Sequence, residues 1–177
     1  MGFLKGFKDN GFPPDGDIYH FERIKRGVTF HSHWVVYIRS VNMEKIAWKK
    51  EYSSGLIYLD NHRRNYIDIV NELIDILNRK NCATRLPLVF HRLGFYIEDY
   101  FAKKEMAIRD SPTINLTEYK KEHQRFTTAI YEFQERYRQG DHNICQEMAL
   151  FMIGWLEHYI TRFGSEAPEY MRSKGFE

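Results

Sequence analysis

Between Leu93 and Phe126 the hydrophobic and polar positions fall into two helical patterns. Leu93, Tyr96, Tyr100, Lys104 and Ile108 recur at three- and four-residue steps and share one face. Beyond a break at Asp110-Ser111-Pro112, Tyr119, His123 and Phe126 do the same. Where a packed bundle puts Leu and Ile, this face carries Tyr, Lys, Tyr and His. Polar side chains aimed at a core must satisfy one another or hold something. Upstream, His62, Tyr66, Ile69, Leu73 and Leu77 form another inward stripe, ended by Arg79-Lys80 and a turn at Cys82-Ala83-Thr84. The pattern predicts a second helix from Leu86 to about Arg109, with Pro87 in its first turn and His91 off the Tyr100 face. A third runs from Asn115, where Asn115-x-x-Glu118 resembles a capping box, to Gly140. A fourth spans about His142 to Phe163, and no helical period follows Ala167.

The N-terminal part reads differently. Val28, Phe30, Trp34, Val36 and Ile38 alternate within Val28 to Val41, which predicts a strand or β-hairpin arm, with His31 and His33 on its solvated face. Met1 to Asp17, with Phe3, Phe7, Phe12 and Pro13-Pro14, reads as irregular backbone tucked down by its aromatics.

Composition narrows the classes. A chain of 177 residues, 43% hydrophobic and 16% aromatic, buries one sizeable core. A formal charge of +2, mixed along the chain, leaves no footprint for nucleic acid. Without a membrane-length apolar run or a signal-peptide core, the expected place is the cytoplasm. Cys82 and Cys145 make neither a disulfide framework nor a zinc pattern and are expected as free thiols. No phosphate loop, nucleophile elbow or Cys-His arrangement points to an enzyme.

The spacing resembles the hemerythrin family. Its signature Leu-x2-Tyr-x3-His-Phe-x2-Glu-Glu, a loop with Pro, and His-x3-His-x2-Phe is matched here at Leu93, Tyr96, Phe101, Glu105, His123 and Phe126. Trp48, Glu51, Gly55, Leu59, Asp60 and His62 match the run leading into the family's first helix, with Asn71 and Leu73 continuing it. Trp155-Leu156-x-x-Tyr159-Ile160 resembles the family's Trp-Leu-x-x-His-Ile. The resemblance implies an all-α, up-down-up-down four-helix bundle over residues 48–166, an N-terminal extension over 1–47 that carries the arm, and a tail over 167–177. It also implies where a di-iron centre would sit, a centre that needs five His and two bridging carboxylates. Of those positions His62 and His123 are kept. Tyr100, Tyr119 and Tyr159 replace His, and Lys104 and Gly164 replace the carboxylates. A register slip in the last helix would instead bring His158 inward.

Two imidazoles cannot satisfy two irons, and an ammonium between cations is a like charge at close range. No cofactor is therefore expected, with iron as the alternative. The altered positions fit a refilled core in which phenols bond across the former site. They also fit a pocket for a small oxygen-rich or anionic ligand beside a desolvated Lys104. A third reading is one iron held by His62, His123 and a phenolate. Outside the bundle, an arm presenting Trp34 and Tyr37 could meet a protein partner, although packing on the bundle is the simpler use. No nucleic acid or membrane partner is expected.

Overall fold

The helical stripes set the architecture. A computed structural model describes residues 42–164 and 166–177; the strand or hairpin expected at Val28 to Val41 and the extension at Met1 to Asp17 lie outside them. All regular structure among the described residues is helical. Helix α1 is Ile57–Asn78, α2 Cys82–Tyr96, α3 Ala102–Ile108, α4 Leu116–Arg138, α5 Cys145–Phe163 and α6 Glu166–Ser173. A π turn, Ile97–Phe101, joins α2 to α3, so the chain stays helical from Cys82 to Ile108. Helix α1 packs on α2 and α5, and α4 packs on α2, α3 and α5, which closes a bundle. Residues 42–177 form one compact unit.

The predicted stripes are the buried ones. Leu59, Tyr66, Ile69 and Leu73 on α1 meet Leu86, Val89 and Leu93 on α2, Phe126 and Ile130 on α4, and Met148, Met152 and Trp155 on α5, all buried. Leu77 is only half-buried. Each large aliphatic or aromatic side chain removed from water contributes about 1.5–3 kcal/mol. Asn115 caps α4, its Oδ1 accepting from the Glu118 N–H at 3.3 Å, and Gly140 follows the helix at φ 89°, a value that favours glycine.

Three expectations need correction. The turn after α1 is shorter than predicted, and α2 already begins at Cys82. Pro87 consequently sits inside the helix and cannot donate to the Ala83 carbonyl. That carbonyl instead accepts from the Tyr137 hydroxyl at 2.6 Å, which repairs the gap from across the bundle. Second, residues after Ala167 do form a helix. α6 is short, but it buries Ala167, Pro168 and Met171 and packs on α3. Its Pro lies in the first turn, where the missing N–H is harmless. Third, Cys82 and Cys145 are not free thiols; they form a disulfide, with Cα atoms 6.2 Å apart. The two residues begin α2 and α5, whose N-terminal ends meet. Their sequence separation of 63 gave no hint of it.

Candidate functional site

The inward face of the α2–π–α3 rod decides the site. In a regular helix Tyr100 and Phe101 would point some 100° apart. Here the π turn carries both into the core, where Tyr100, Phe101 and Lys104 are all buried. Lys104 is 0% exposed. Its Nζ has no hydrogen-bond partner among the described residues and lies 4.6 Å from the ring centre of Tyr159, 5.1 Å from Tyr119 and 5.7 Å from Tyr100. Burial holds the amine well below the usual lysine range, and the nearby Arg63 guanidinium adds to the shift. A cage of phenol faces could stabilise an ammonium, but without a carboxylate the desolvated group favours its neutral form.

His123 is locked from both sides. Phe101 stacks flat on its ring, with centroids 3.9 Å apart. Its Nδ1 is 2.7 Å from Glu105 Oε1 and its Nε2 is 2.8 Å from the Tyr159 hydroxyl. Burial, helped by Lys104, pushes its pKa down to about 3, so the imidazole is neutral. A carboxylate only accepts, so Nδ1 carries the proton and donates to Glu105, while Nε2 accepts from Tyr159. Two other phenols donate to main-chain carbonyls: Tyr119 to Phe163 at 3.1 Å and Tyr66 to Met152 at 2.9 Å. Burial pushes the Tyr100, Tyr119 and Tyr159 phenols above their usual range.

Helix α5 turns Tyr159 rather than His158 into the core. Tyr159 is buried and stacks on Trp155 at 4.5 Å, while His158 is half-buried on the neighbouring face. Gly164 ends the helix, and a Cβ there would lie 2.1 Å from the Ile160 carbonyl oxygen. The backbone would have to move before that position could present any side chain. His62 stands apart from the buried network. It is half-buried, stacked on the outer side of Tyr100 at 4.4 Å, and borders a groove of about 420 Å³ with Tyr96, Asp99 and Tyr100. Burial lowers its pKa, with Asp99 working against that.

The structure thus brings Tyr100, Lys104, Tyr119, His123 and Tyr159 into one network, sets His62 at its edge and leaves Gly164 at a helix end. Among the described residues no group of three or more His, Cys, Asp or Glu side chains converges as metal ligands do. Sequence reasoning assigned no role to Glu105, although it noted the matching position. It also missed Arg63, whose Nη1 donates to the Tyr52 carbonyl at 2.7 Å while its buried Nε has no partner among the described residues. One residue from His62 on the same helix, Arg63 lay off the predicted stripe and carried no signal.

The chain is similar to the bacteriohemerythrin of Pseudomonas aeruginosa, with 24% identity over 118 residues that cover 67% of this chain and 76% of that protein. The bacteriohemerythrin of Clostridium acetobutylicum is likewise 24% identical over 118 residues, covering 64% of this chain and 92% of its own. No family model matches the chain. No solved structure matches it. The similarity to these proteins and the helical bundle that carries it agree with the motifs at Trp48, His62, His123 and Trp155: the chain is similar to the bacteriohemerythrins over about two thirds of its length.

Proposed function

We propose that this protein keeps the up-down-up-down four-helix frame of the hemerythrins but has given up the di-iron pair, and that a Tyr/His/Lys network fills the space. The observation that carries this reading is the placement of Lys104. A fully buried amine with no hydrogen-bond partner among the described residues stands among three phenols, where the resemblance puts a bridging carboxylate. The other donors fit iron no better. His123 has both nitrogens engaged, His62 lies against the groove side of Tyr100, and Gly164 has no room for a side chain. Metal affinity depends on ligand number and geometry together, and this set supplies neither. The network's role is to specify the packing of four helices, and the protein is not an enzyme in this reading. A small molecule approaching the interior would meet the His62 groove first.

Elemental analysis and an absorption spectrum of the purified protein test this. The expected result is a colourless protein with less than one iron per chain. Two irons per chain with an oxo-bridge band would overturn it, and one iron with a phenolate charge-transfer band would replace it with a mononuclear site.

A further inference from the structure

We propose that Tyr159 is a redox-active tyrosine, with His123 as its proton acceptor and a file of neighbouring aromatic rings as its electron route to the groove at His62. The proposal rests on the metal-free reading above, because an iron pair would itself dominate the electron chemistry of the interior.

A phenol is hard to oxidise when its proton has nowhere to go, since the product is then a strongly acidic radical cation. What singles out Tyr159 is therefore the base beside it. Its hydroxyl is 2.8 Å from a neutral imidazole nitrogen. Tyr66 and Tyr119 donate to main-chain carbonyls, which take up a proton far less readily than an imidazole nitrogen does. Trp155 packs on Tyr159 at 4.5 Å, but its indole N–H has no partner among the described residues, so an electron vacancy there cannot shed its proton. A vacancy reaching Trp155 comes to rest on Tyr159.

The step balances as follows. Tyr159 loses one electron; its O–H bond breaks and an N–H bond forms on His123 Nε2, leaving a neutral phenoxyl radical and an imidazolium. That cation is held by Glu105, 2.7 Å from Nδ1 and partly exposed to water. The electron is taken up by a one-electron oxidant of the oxygen- or metal-centred radical class, and a later one-electron donor restores the phenol as the proton returns from Nε2. Glu105, Lys104 and Arg63 are the charged or chargeable neighbours that bear on this transfer, with Tyr96, Tyr100 and Tyr119 as further phenols. Burial pushes Lys104 toward its neutral form, in which it opposes the vacancy less than an ammonium would.

The route outward is continuous. Tyr159 stacks on Trp155, Trp155 meets Tyr66 at 5.2 Å, Tyr66 meets Tyr96 at 5.4 Å and Tyr96 meets Tyr100 at 5.2 Å. Tyr96 and Tyr100 line the His62 groove, where an oxidant can arrive. Every one of these rings is a Tyr or a Trp, the aromatic side chains most readily oxidised.

The test oxidises the full chain with photogenerated tris(bipyridyl)ruthenium(III) and follows the product by electron paramagnetic resonance. Expected is a persistent tyrosyl radical that is lost in Tyr159→Phe, retained in the surface variant Tyr131→Phe, and formed more slowly in deuterated water. In His123→Phe the persistent radical should also be lost. Thermal melting shows whether each variant is folded. Should Tyr159→Phe fail to fold, the wild-type isotope effect decides. An unchanged radical in a folded Tyr159→Phe, or formation indifferent to deuterium, overturns the proposal. Iron content measured on the same samples separates this outcome from failure of the metal-free reading.

Discussion

The two halves of the bundle are built on different principles. At the end closed by the disulfide, Leu73, Ile74, Leu86, Val89, Met148 and Ala149 are buried with no polar group among them. At the other end the core carries Lys104, His123 and the phenols of Tyr100, Tyr119 and Tyr159. The apolar end is held by area removed from water and by a covalent link. The polar end is held by hydrogen bonds whose partners are specific, and it contains one amine with none. Burial of a polar group without a partner costs about 1–3 kcal/mol in proteins, so the second half gives up stability that the first supplies.

The largest effect should come from the covalent link. A cross-link closing a loop of 63 residues restricts the unfolded chain by about 4 kcal/mol. Cys145→Ser paired with Cys82→Ser should lower the unfolding free energy by up to that amount, as should a thiol reductant. Urea titrations with and without reductant check it; no change would mean the two thiols are not joined. Disulfides persist in oxidising compartments, so thiol trapping in intact cells also tests the cytoplasmic expectation.

Next comes a cavity in the apolar half. Leu86→Ala should cost about 3 kcal/mol with unchanged cooperativity, since the fully buried site has little freedom to collapse. Denaturant midpoints read this directly, and a cost under about 1 kcal/mol would show that the apolar end is loosely packed.

In the polar half the sign reverses. Lys104→Met should be neutral or stabilising, by about 1–2 kcal/mol at neutral pH, because an apolar chain of similar length replaces an unpaired amine. The unfolded lysine binds a proton up to about pH 10.4, whereas burial depresses the folded value, so Lys104 opposes folding at neutral pH and less as the pH rises. The advantage of Met should shrink toward pH 10. A loss of more than about 2 kcal/mol would mean that Lys104 is well paired.

The smallest effect is expected under mild acid. His123 is neutral when folded, with a pKa of about 3, but takes a proton below about 6.5 when unfolded. The stability it contributes is full above that value and is lost as the pH falls toward 3. Between pH 6.5 and 5.5 the wild type should lose about 1 kcal/mol more than His123→Phe does. Equal slopes would place a solvated or charged imidazole at that position.

The inward faces were legible because helical spacing is a local property. Tyr96, Tyr100, Lys104 and His123 were placed by period, Tyr159 by the family resemblance, and each is buried. What that period could not show was how one helix end meets another. Cys82 and Cys145 look unrelated along the chain, and the repair of the Pro87 gap by Tyr137 depends on a contact 54 residues away. The π turn was hidden for a different reason. One extra residue in a turn changes which side chains face inward, yet it leaves no composition signature at Ile97–Phe101.

The segment leading into the bundle is measured rather than glued. Asn78 grips Met43 by both main-chain groups, accepting from its N–H at 2.9 Å and donating to its carbonyl at 2.8 Å. Asn71 does the same to Ile46, at 2.7 and 2.9 Å. Seven residues of α-helix rise about 10.5 Å. Three residues of extended chain span about 10 Å. The two asparagines act as fixed marks on a ruler whose divisions match the stretched backbone. Such a gauge is blind to the side chain of Glu44 but reads length, and Lys45 adds an ion pair to Asp75 between the two marks. Substitution of Glu44 should leave the path unaltered, whereas a single inserted or deleted residue between Met43 and Ile46 would release one of the two grips.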